Sequence, residues 1–184
     1  MRFTLSSTAL SSKLFALAKV ISNKNSLPIL ADFMFRTEGN TLFITASDSE
    51  NSMTTTIELS DSDIDDSFAI ENHSLLEAVK SFPEQPLTFE ADKNDKIVKI
   101  IYQNGQFSLP IESADVYPVA AKIADIAVSI QLSSALLSEN ISRCLCATAQ
   151  DELRPVMNGV FFDITPEYLT IVSTDGHKLV RNRI

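Results

Sequence analysis

The chain has 184 residues, of which 45% are hydrophobic and 21% are charged, and its formal net charge is −9. At roughly 100–200 residues per domain, this length allows one or two domains, and the composition excludes a disordered or collagen-like chain. No apolar run approaches the roughly 18 residues that span a bilayer, and the N-terminus lacks the pattern of a signal peptide. We therefore expect a cytoplasmic protein without membrane contact. Because phosphate affinity depends on Lys and Arg, the negative charge argues against generic nucleic-acid binding.

The first sixty residues predict the order β-α-β-β-β. Residues 2–5 alternate polar and apolar side chains, as a half-buried strand does, and Ser6 or Ser7 is a suitable helix N-cap. Four apolar residues then recur at helical spacing: Leu10, Leu14, Leu17 and Ile21. Three strand-like segments follow, and the turn sequence Glu38-Gly39-Asn40 separates the first two: residues 29–37, 41–46 and 52–58.

The rest of the chain predicts the same order twice more. In the middle segment, a strand at 68–70 and a helix at 73–81 precede three further strands: residues 86–91, 96–102 and 106–111. Residues 112–126 are predicted to be a linker. The third unit is predicted to begin with a strand at Val128-Ser129-Ile130. Its helix has an apolar stripe that we expect to face a core: Leu137, Ile141, Cys144 and Leu145.

An internal repeat supports this division. When the sequence is shifted by 127 residues, the first unit aligns with the third without a gap, and apolar positions match even where the residues differ. The identical pairs include Ser7 with Ser134, Pro28 with Pro155, Phe35 with Phe162, Leu42 with Leu169, Ile44 with Ile171 and Asp48 with Asp175. We expect two domains, one at 1–125 with two units and one at 126–184 with a single unit.

Single helices between hairpins favour an α+β fold with antiparallel sheets rather than a parallel nucleotide-binding sheet. The chain has only four glycines and no glycine-rich phosphate-binding motif. The acidic run at 61–66 lacks the glycine and terminal glutamate of a calcium loop and is predicted to be a solvated loop. Cys144 and Cys146 are two residues apart, so they cannot bridge within a helix and are predicted to be packing residues. We predict no metal site and no cofactor.

His177 follows Asp175-Gly176 in a turn between two predicted strands. An Asp near a His suggests an acid–base pair, and an enzyme that uses His177 with Asp175 is one alternative. No nucleophile stands at motif spacing around them, so the pattern does not favour catalysis. A plain turn accounts for Asp175 and Gly176, but it does not account for the exposed imidazole followed by Lys178 and Leu179.

Four strings resemble the bacterial sliding clamp family, the β subunit of DNA polymerase III. Thr174-Asp175-Gly176-His177-Lys178-Leu179 is similar to its TDGH-[RK]-L signature, and Ser26-Leu27-Pro28-Ile29-Leu30 is similar to its TLPIL segment. Asn158-Gly159-Val160-Phe161-Phe162 and the opening Met1-Arg2-Phe3-Thr4 also match, in family order and spacing across the whole chain. The family is built from repeated β-α-β-β-β half-domains, which agrees with the 127-residue repeat.

The resemblance implies a DNA-clamp fold, with helices lining the hole of a head-to-tail ring and antiparallel sheets outside. A protomer of this family has three domains of two units each. This chain therefore resembles the first domain and the first half of the second. The resemblance implies a processivity factor that encircles duplex DNA and performs no chemistry itself. A ring retains DNA topologically, so the chain can be acidic overall.

The resemblance also implies two kinds of site. Two basic residues match family DNA contacts, Lys24 and Arg154. Six residues match the pocket that binds short partner peptides with apolar anchors: Met157, Thr174, Gly176, His177, Lys178 and Leu179. In that pocket, Leu179 and Met157 would form an apolar floor, and His177 with Lys178 a polar rim.

The implied partners are the polymerase III catalytic subunit, the clamp loader, other polymerases and repair proteins. A non-DNA interaction scaffold built on the same repeat is the other alternative. Repeat units of this kind do not bury their own faces, so we also expect residues 126–184 either to fray or to pair with a second copy of the chain.

Overall fold

A computed structural model describes residues 1–22, 27–48, 50–118, 127, 129–151 and 153–184. The chain forms two compact units, Met1–Lys122 and Ile123–Ile184. From here on, these two are the first and second unit, and each β-α-β-β-β element within them is called a repeat. The domain boundary predicted at 125/126 falls outside the described residues, so it stays a prediction.

The described residues of the first unit form two α-helices and nine strands. The helices are α1 (Ser7–Leu17) and α2 (Asn72–Lys80), and short 3-10 turns lie at Pro28–Ala31 and Ala114–Val116. The strands are β1 (Arg2–Ser6), β2 (Asp32–Glu38), β3 (Thr41–Ser47), β4 (Ser52–Glu58), β5 (Asp61–Ser62), β6 (Ser67–Glu71), β7 (Pro86–Asp92), β8 (Ile97–Tyr102) and β9 (Gly105–Ser113). All pairings are antiparallel, and the β-α-β-β-β order predicted for both halves of this unit is confirmed.

The two repeats of this unit interlock through their first strands. β1 of the first repeat pairs with β7 of the second, and β6 of the second repeat pairs with β2 of the first. The strand order is therefore β4-β3-β2-β6-β9-β8-β7-β1-β5. Neither repeat completes its sheet alone, because each supplies the strand that pairs with the second strand of the other.

Helix α1 forms where the sequence predicts it. The Ser6 hydroxyl accepts a hydrogen bond from the Ala9 N–H at 3.4 Å and caps the helix. Leu10, Leu14 and Leu17 are buried on one face. This stripe packs into a core whose centre is a set of stacked rings: Phe3 with Phe89 at 5.0 Å, Phe35 with Phe68 at 5.4 Å and Phe35 with Phe89 at 6.0 Å between centroids.

The acidic run at 61–66 is not wholly a loop, which corrects the sequence prediction. Asp61 and Ser62 form β5 against β1, with Ser62 opposite Phe3. Asp63 accepts a hydrogen bond from the Arg2 N–H at 2.6 Å, and Asp66 forms an ion pair with Lys93. The carboxylates therefore attach this segment to the sheet, a pairing that the local sequence pattern does not indicate.

The predicted linker at 112–126 also begins too early. Residues 112–113 complete β9, and a 3-10 turn follows at Ala114–Val116. Tyr117 is buried with Leu30 and Ala69, and its hydroxyl donates to the Asp32 carbonyl at 3.3 Å. An aromatic side chain with a buried hydrogen bond fixes the segment up to 117 on the first unit.

The second unit contains helix α3 (Ser134–Leu145), a 3-10 turn at Pro155–Asn158, and strands β10 (Phe161–Ile164), β11 (Leu169–Thr174) and β12 (Leu179–Arg183). The strands form one antiparallel sheet in the order β10-β11-β12. The predicted first strand at 128–130 is wrong for Ser129 and Ile130, which form no strand, and Val128 is outside the described residues. In the first unit such a strand pairs with the second strand of another repeat, and the described part of this unit holds only one repeat.

The apolar stripe predicted on α3 is only partly buried. Cys144 is fully buried, whereas Leu137 and Ile141 are half-buried and Leu145 is exposed. Helix α1 has α2 as a neighbour, while α3 packs on β11 and β12. The prediction was therefore wrong for Leu145, because within the described residues of this unit no second helix covers that side of α3.

Candidate functional site

The turn between β11 and β12 is organised by the side chain of Asp175. Its Oδ1 accepts hydrogen bonds from the backbone N–H of His177 at 2.9 Å and of Lys178 at 2.7 Å. The Thr174 hydroxyl donates to the Lys178 carbonyl at 2.6 Å and accepts from the Gly176 N–H at 3.1 Å. Gly176 has φ +89°, a conformation that strongly favours glycine. The TDGHKL string therefore encodes a rigid turn.

The same hydrogen bonds determine the charge of Asp175. The backbone N–H groups of Lys178 and His177 lower the pKa of this carboxyl to about 2, and the Lys178 side chain contributes. Asp175 is therefore ionised at neutral pH, and its carboxylate is engaged by backbone donors. An acid–base pair would need this carboxylate at the His177 imidazole, and the described contact is with the His177 backbone instead. The geometry does not favour the enzyme alternative.

Lys178 attaches the turn to the end of α3. Its Nζ donates to the Cys146 carbonyl at 2.9 Å and lies 3.4 Å from Asp175 Oδ2. A cation at a helix C-terminus interacts favourably with the free carbonyls there. Cys144 is buried and its thiol donates to the Ile171 carbonyl at 3.7 Å, so it has the packing role predicted for it. Cys146 is exposed, so the packing role predicted for this residue is wrong.

The loop that contains Arg154 lies beside this turn. Arg154 Nη1 is 3.4 Å from the position that a Cβ would occupy on Gly176. Its Nε donates to Asp151 Oδ2 at 2.8 Å, and its carbonyl accepts from the Met157 N–H at 3.0 Å. The structure thus brings Arg154, predicted as a DNA contact, next to the residues predicted to bind partner peptides. Lys24, the other predicted DNA contact, lies outside the described residues.

Exposed apolar side chains occur at the end of the turn and in the loop that contains Arg154. Leu179 is 65% exposed, while Met157 is half-buried and its carbonyl accepts from the Ala149 N–H at 2.8 Å. Leu153 and Val156 lie on either side of Arg154-Pro155 and are 92% and 87% exposed. Grouped exposed apolar residues mark interaction surfaces. Sequence reasoning missed Leu153 and Val156, although two aliphatic residues within two positions of a proline in a loop are a usable signal.

The described residues show neither a metal-binding cluster nor a membrane-spanning helix. Among them, no group of three or more His, Cys, Asp and Glu side chains is placed to hold a metal ion. Within the same residues, no helix is both long enough and apolar enough to cross a membrane.

Two interlocked β-α-β-β-β repeats followed by a third repeat, with exposed apolar side chains near a rigid turn, define an α+β repeat protein with a candidate binding surface. The family model described as "DNA polymerase III beta subunit, N-terminal domain" matches residues 1–121, and the model of the central domain of that subunit matches residues 131–184. The chain belongs to the DNA polymerase III beta subunit family.

Sequence comparison with individual proteins supports this family assignment. A beta sliding clamp of Pseudomonas putida is 26% identical over 180 residues, which are 97% of this chain and 48% of the relative. A beta sliding clamp of Halalkalibacterium halodurans is 28% identical over 91% of this chain and 45% of its own length. This chain thus spans about half the length of the relatives it matches.

Solved structures confirm the fold. The DNA polymerase III subunit beta from Pseudomonas aeruginosa superposes with a TM-score of 0.92 at 23% identity and covers 100% of this chain and 50% of that one. The polymerase sliding clamp from Bacillus subtilis superposes with a TM-score of 0.90 at 25% identity, with the same coverage. The predicted α+β clamp fold is therefore confirmed.

Proposed function

We propose that this chain is part of a sliding clamp, a head-to-tail ring of copies that encircles duplex DNA in the cytoplasm and tethers the replicative polymerase without performing chemistry. The observation that carries the proposal is the rigid Asp175 turn, which is followed directly by the exposed Leu179 in a chain of this family. Its partners are the catalytic subunit of polymerase III, the clamp loader, other polymerases and repair proteins.

The charge on α1 supports a DNA-facing role for this helix. Residues 7–22 include no acidic side chain, and Lys13 and Lys19 are exposed. The acidic residues that give the chain its net charge of −9 therefore lie outside residues 7–22. A ring with helices inside and sheets outside would present this surface to the phosphates, with Lys24 and Arg154 as further contacts. Few ionic contacts suit a ring that slides, because each phosphate contact adds affinity.

The surface beside the Asp175 turn supports a role in binding peptides with apolar anchors. Leu179 and the half-buried Met157 supply apolar area, and the exposed His177 supplies a polar neighbour. The turn is fixed by hydrogen bonds within residues 174–178, so little conformational freedom is lost on binding. We infer that Thr174, Gly176 and Lys178 hold the geometry, while His177 and Leu179 contact the peptide.

Fluorescence anisotropy with a labelled apolar-anchored peptide tests this assignment in the full-length protein. His177→Ala and Leu179→Ala should each weaken binding, and truncation of a hot-spot anchor typically costs about 2 kcal/mol or more. Leu145→Ala is the matched control, because Leu145 is an exposed apolar residue on α3. Unchanged affinity in both turn variants, or an equal loss in the control, would remove the support for this pocket.

Retention on DNA separates a clamp from a non-DNA scaffold. The full-length protein, loaded on nicked circular DNA by its clamp loader, should stay bound in high salt and be released when the circle is linearised. A scaffold without a ring would show no difference between circular and linear DNA.

We also propose that the second unit of this chain pairs with a second copy. Its strand β10 is the counterpart of β2 in the 127-residue repeat, and β2 has neighbours on both sides, β3 and β6. Within the described residues, β10 has only β11. A free edge next to the exposed Phe161 and Ile164 is open to pairing with another chain, and a two-fold contact would give a closed dimer.

A further inference from the structure

A depression on the first unit is separate from the Asp175 turn. Its volume is about 560 Å³, and it is lined by the start of the 3-10 turn at Pro28–Ala31, the ends of β2, β6 and β9, and the second 3-10 turn. The lining residues are Leu27, Pro28, Ile29, Asp32, Glu71, Pro110, Glu112 and Val116. The depression combines an apolar rim with three carboxylates.

The apolar rim is exposed although its backbone is firmly held. Leu27 is 49% exposed and Val116 is 63% exposed. Val116 directly precedes Tyr117, whose buried hydroxyl donates to the Asp32 carbonyl. Val116 therefore stands at a fixed place in the fold, and both apolar side chains have exposed area for a partner.

Asp32 contributes a mostly buried carboxyl to the lining of this depression. It is only 8% exposed, and the described part of the chain offers its carboxyl neither a hydrogen bond nor an ion pair. Asp32 stands directly opposite Glu71 in the β2–β6 register, and like charges in that position are destabilising. Burial, and then the charges of Glu71 and Glu112, raise the pKa of Asp32 to about 6. A cation at this point would supply the missing partner.

Glu71 has a structural task that Asp32 lacks. Its two carboxylate oxygens accept from the His73 N–H at 2.9 Å and the Ser74 N–H at 2.7 Å, which caps α2. Its negative charge is therefore required by the helix and remains beside Asp32. The helix cap explains Glu71, but within the described residues no structural contact explains a buried carboxyl at position 32.

In the 127-residue repeat, one edge of this depression corresponds to the exposed loop around Pro155 in the second unit. A shift of 127 residues aligns Leu27-Pro28-Ile29 with Arg154-Pro155-Val156, and Asp32 with Gly159. Each repeat exposes an aliphatic residue next to this proline, but Leu27 precedes its proline whereas Val156 follows it. The charge differs, because the first unit has a leucine where the second has Arg154, and it adds the carboxyl of Asp32.

We propose that the depression is a second docking site, which binds an extended partner segment whose Lys or Arg enters toward Asp32 while an adjacent apolar side chain packs on Leu27 and Val116. An inorganic cation would leave the apolar rim unused, and an uncharged apolar segment would leave Asp32 unpaired. The volume exceeds that of one side chain, as an anchor and a cation together require. This inference does not depend on the proposed pocket at the Asp175 turn.

The test uses the 184-residue chain and two hexapeptide pools. One pool carries a single Lys or Arg flanked by Leu, Ile or Phe, and the other has Gln in place of the basic residue. Methyl NMR signals of Leu27, Ile29 and Val116 report binding. The basic pool should shift these signals, and Asp32→Asn should weaken binding at least about ten-fold, because hydrogen bonds to charged groups are among the stronger ones. Glu84→Gln, an exposed carboxylate outside the depression, should leave binding unchanged.

Three outcomes would overturn the proposal. The first is that neither pool shifts the three methyl signals at millimolar concentration. The second is equal affinity of the Asp32→Asn and Glu84→Gln variants for the basic pool. The third is that methylammonium alone reproduces the shifts with the same affinity, because the site would then bind a small cation without using the apolar rim.

Discussion

We predict that ionisation of the buried Asp32 carboxyl lowers the free energy of unfolding of the first unit as the pH rises, which is the contribution of this one group. The perturbation is Asp32→Asn, which removes the charge and keeps the shape. In the folded chain the pKa of Asp32 is raised from 3.8 to about 6 by burial and by the charges of Glu71 and Glu112. Below pH 3.8 the carboxyl is neutral in both the folded and the unfolded chain, so the raised pKa has no effect on stability there.

The sign and size follow from proton linkage. Between about pH 4 and 6 the unfolded chain ionises first, so the free energy of unfolding falls as the pH rises, and above about pH 6 the loss is complete. At 1.36 kcal/mol per pKa unit, a rise of about two units corresponds to a loss of about 3 kcal/mol at pH 7.5. At pH 4 the same relation gives a loss of about 0.6 kcal/mol. Asp32→Asn should therefore stabilise the chain at pH 7.5 far more than at pH 4.

Urea unfolding measures this difference. The signals of Phe35 and Ile44, which are buried in the first unit, report that unit alone. Glu84→Gln is the control for a general change in net charge, and its free energy of unfolding should differ little from that of the wild type at either pH. The reasoning is refuted if Asp32→Asn is less stable than the wild type at pH 7.5, or if its effect is the same at both pH values.

Three further predictions concern the proposed function. In the full-length ring, replacing both Lys24 and Arg154 with Ala should lower the salt slope of DNA affinity by about two, and an unchanged slope would show that neither neutralises a phosphate. Asp175→Asn should weaken peptide binding measured by anisotropy, because the turn loses a charged acceptor of two backbone N–H groups; wild-type affinity in this variant would contradict that role. Light scattering of the 184-residue chain should give a dimer, whereas a monomer with fully protected β10 amides in hydrogen exchange would exclude pairing at that edge.

Local patterns in the sequence were sufficient to predict the individual elements. Residues 52–58 were predicted as a strand because they are rich in β-branched residues, and β4 has those bounds. Helix α2 lies within one residue of its prediction, since Pro83 limits it on one side. The same local patterns predicted the β-α-β-β-β order of both repeats of the first unit, which the structure confirms.

The errors concern contacts between distant residues. The strand predicted at 128–130 has suitable side chains, but a strand also needs a partner, and no local pattern shows whether one is present. β5 forms because Asp61 and Ser62 meet β1, which is some sixty residues earlier in the chain. For the same reason the contact between Arg154 and Gly176, and the burial of the Asp32 carboxyl, could be found only in the folded chain.

The two units of the chain therefore fix their binding surfaces in different ways. The Asp175 turn is held by hydrogen bonds within five residues and by the link from Lys178 to Cys146, all inside one repeat. Its geometry does not require a second repeat, whereas the edge of β10 does. The depression at Asp32 is different, because β2, β6 and β9 belong to two repeats that must interlock before it exists. Destabilising the interlock should therefore abolish binding at the first unit and leave the turn in the second unit able to bind its peptide.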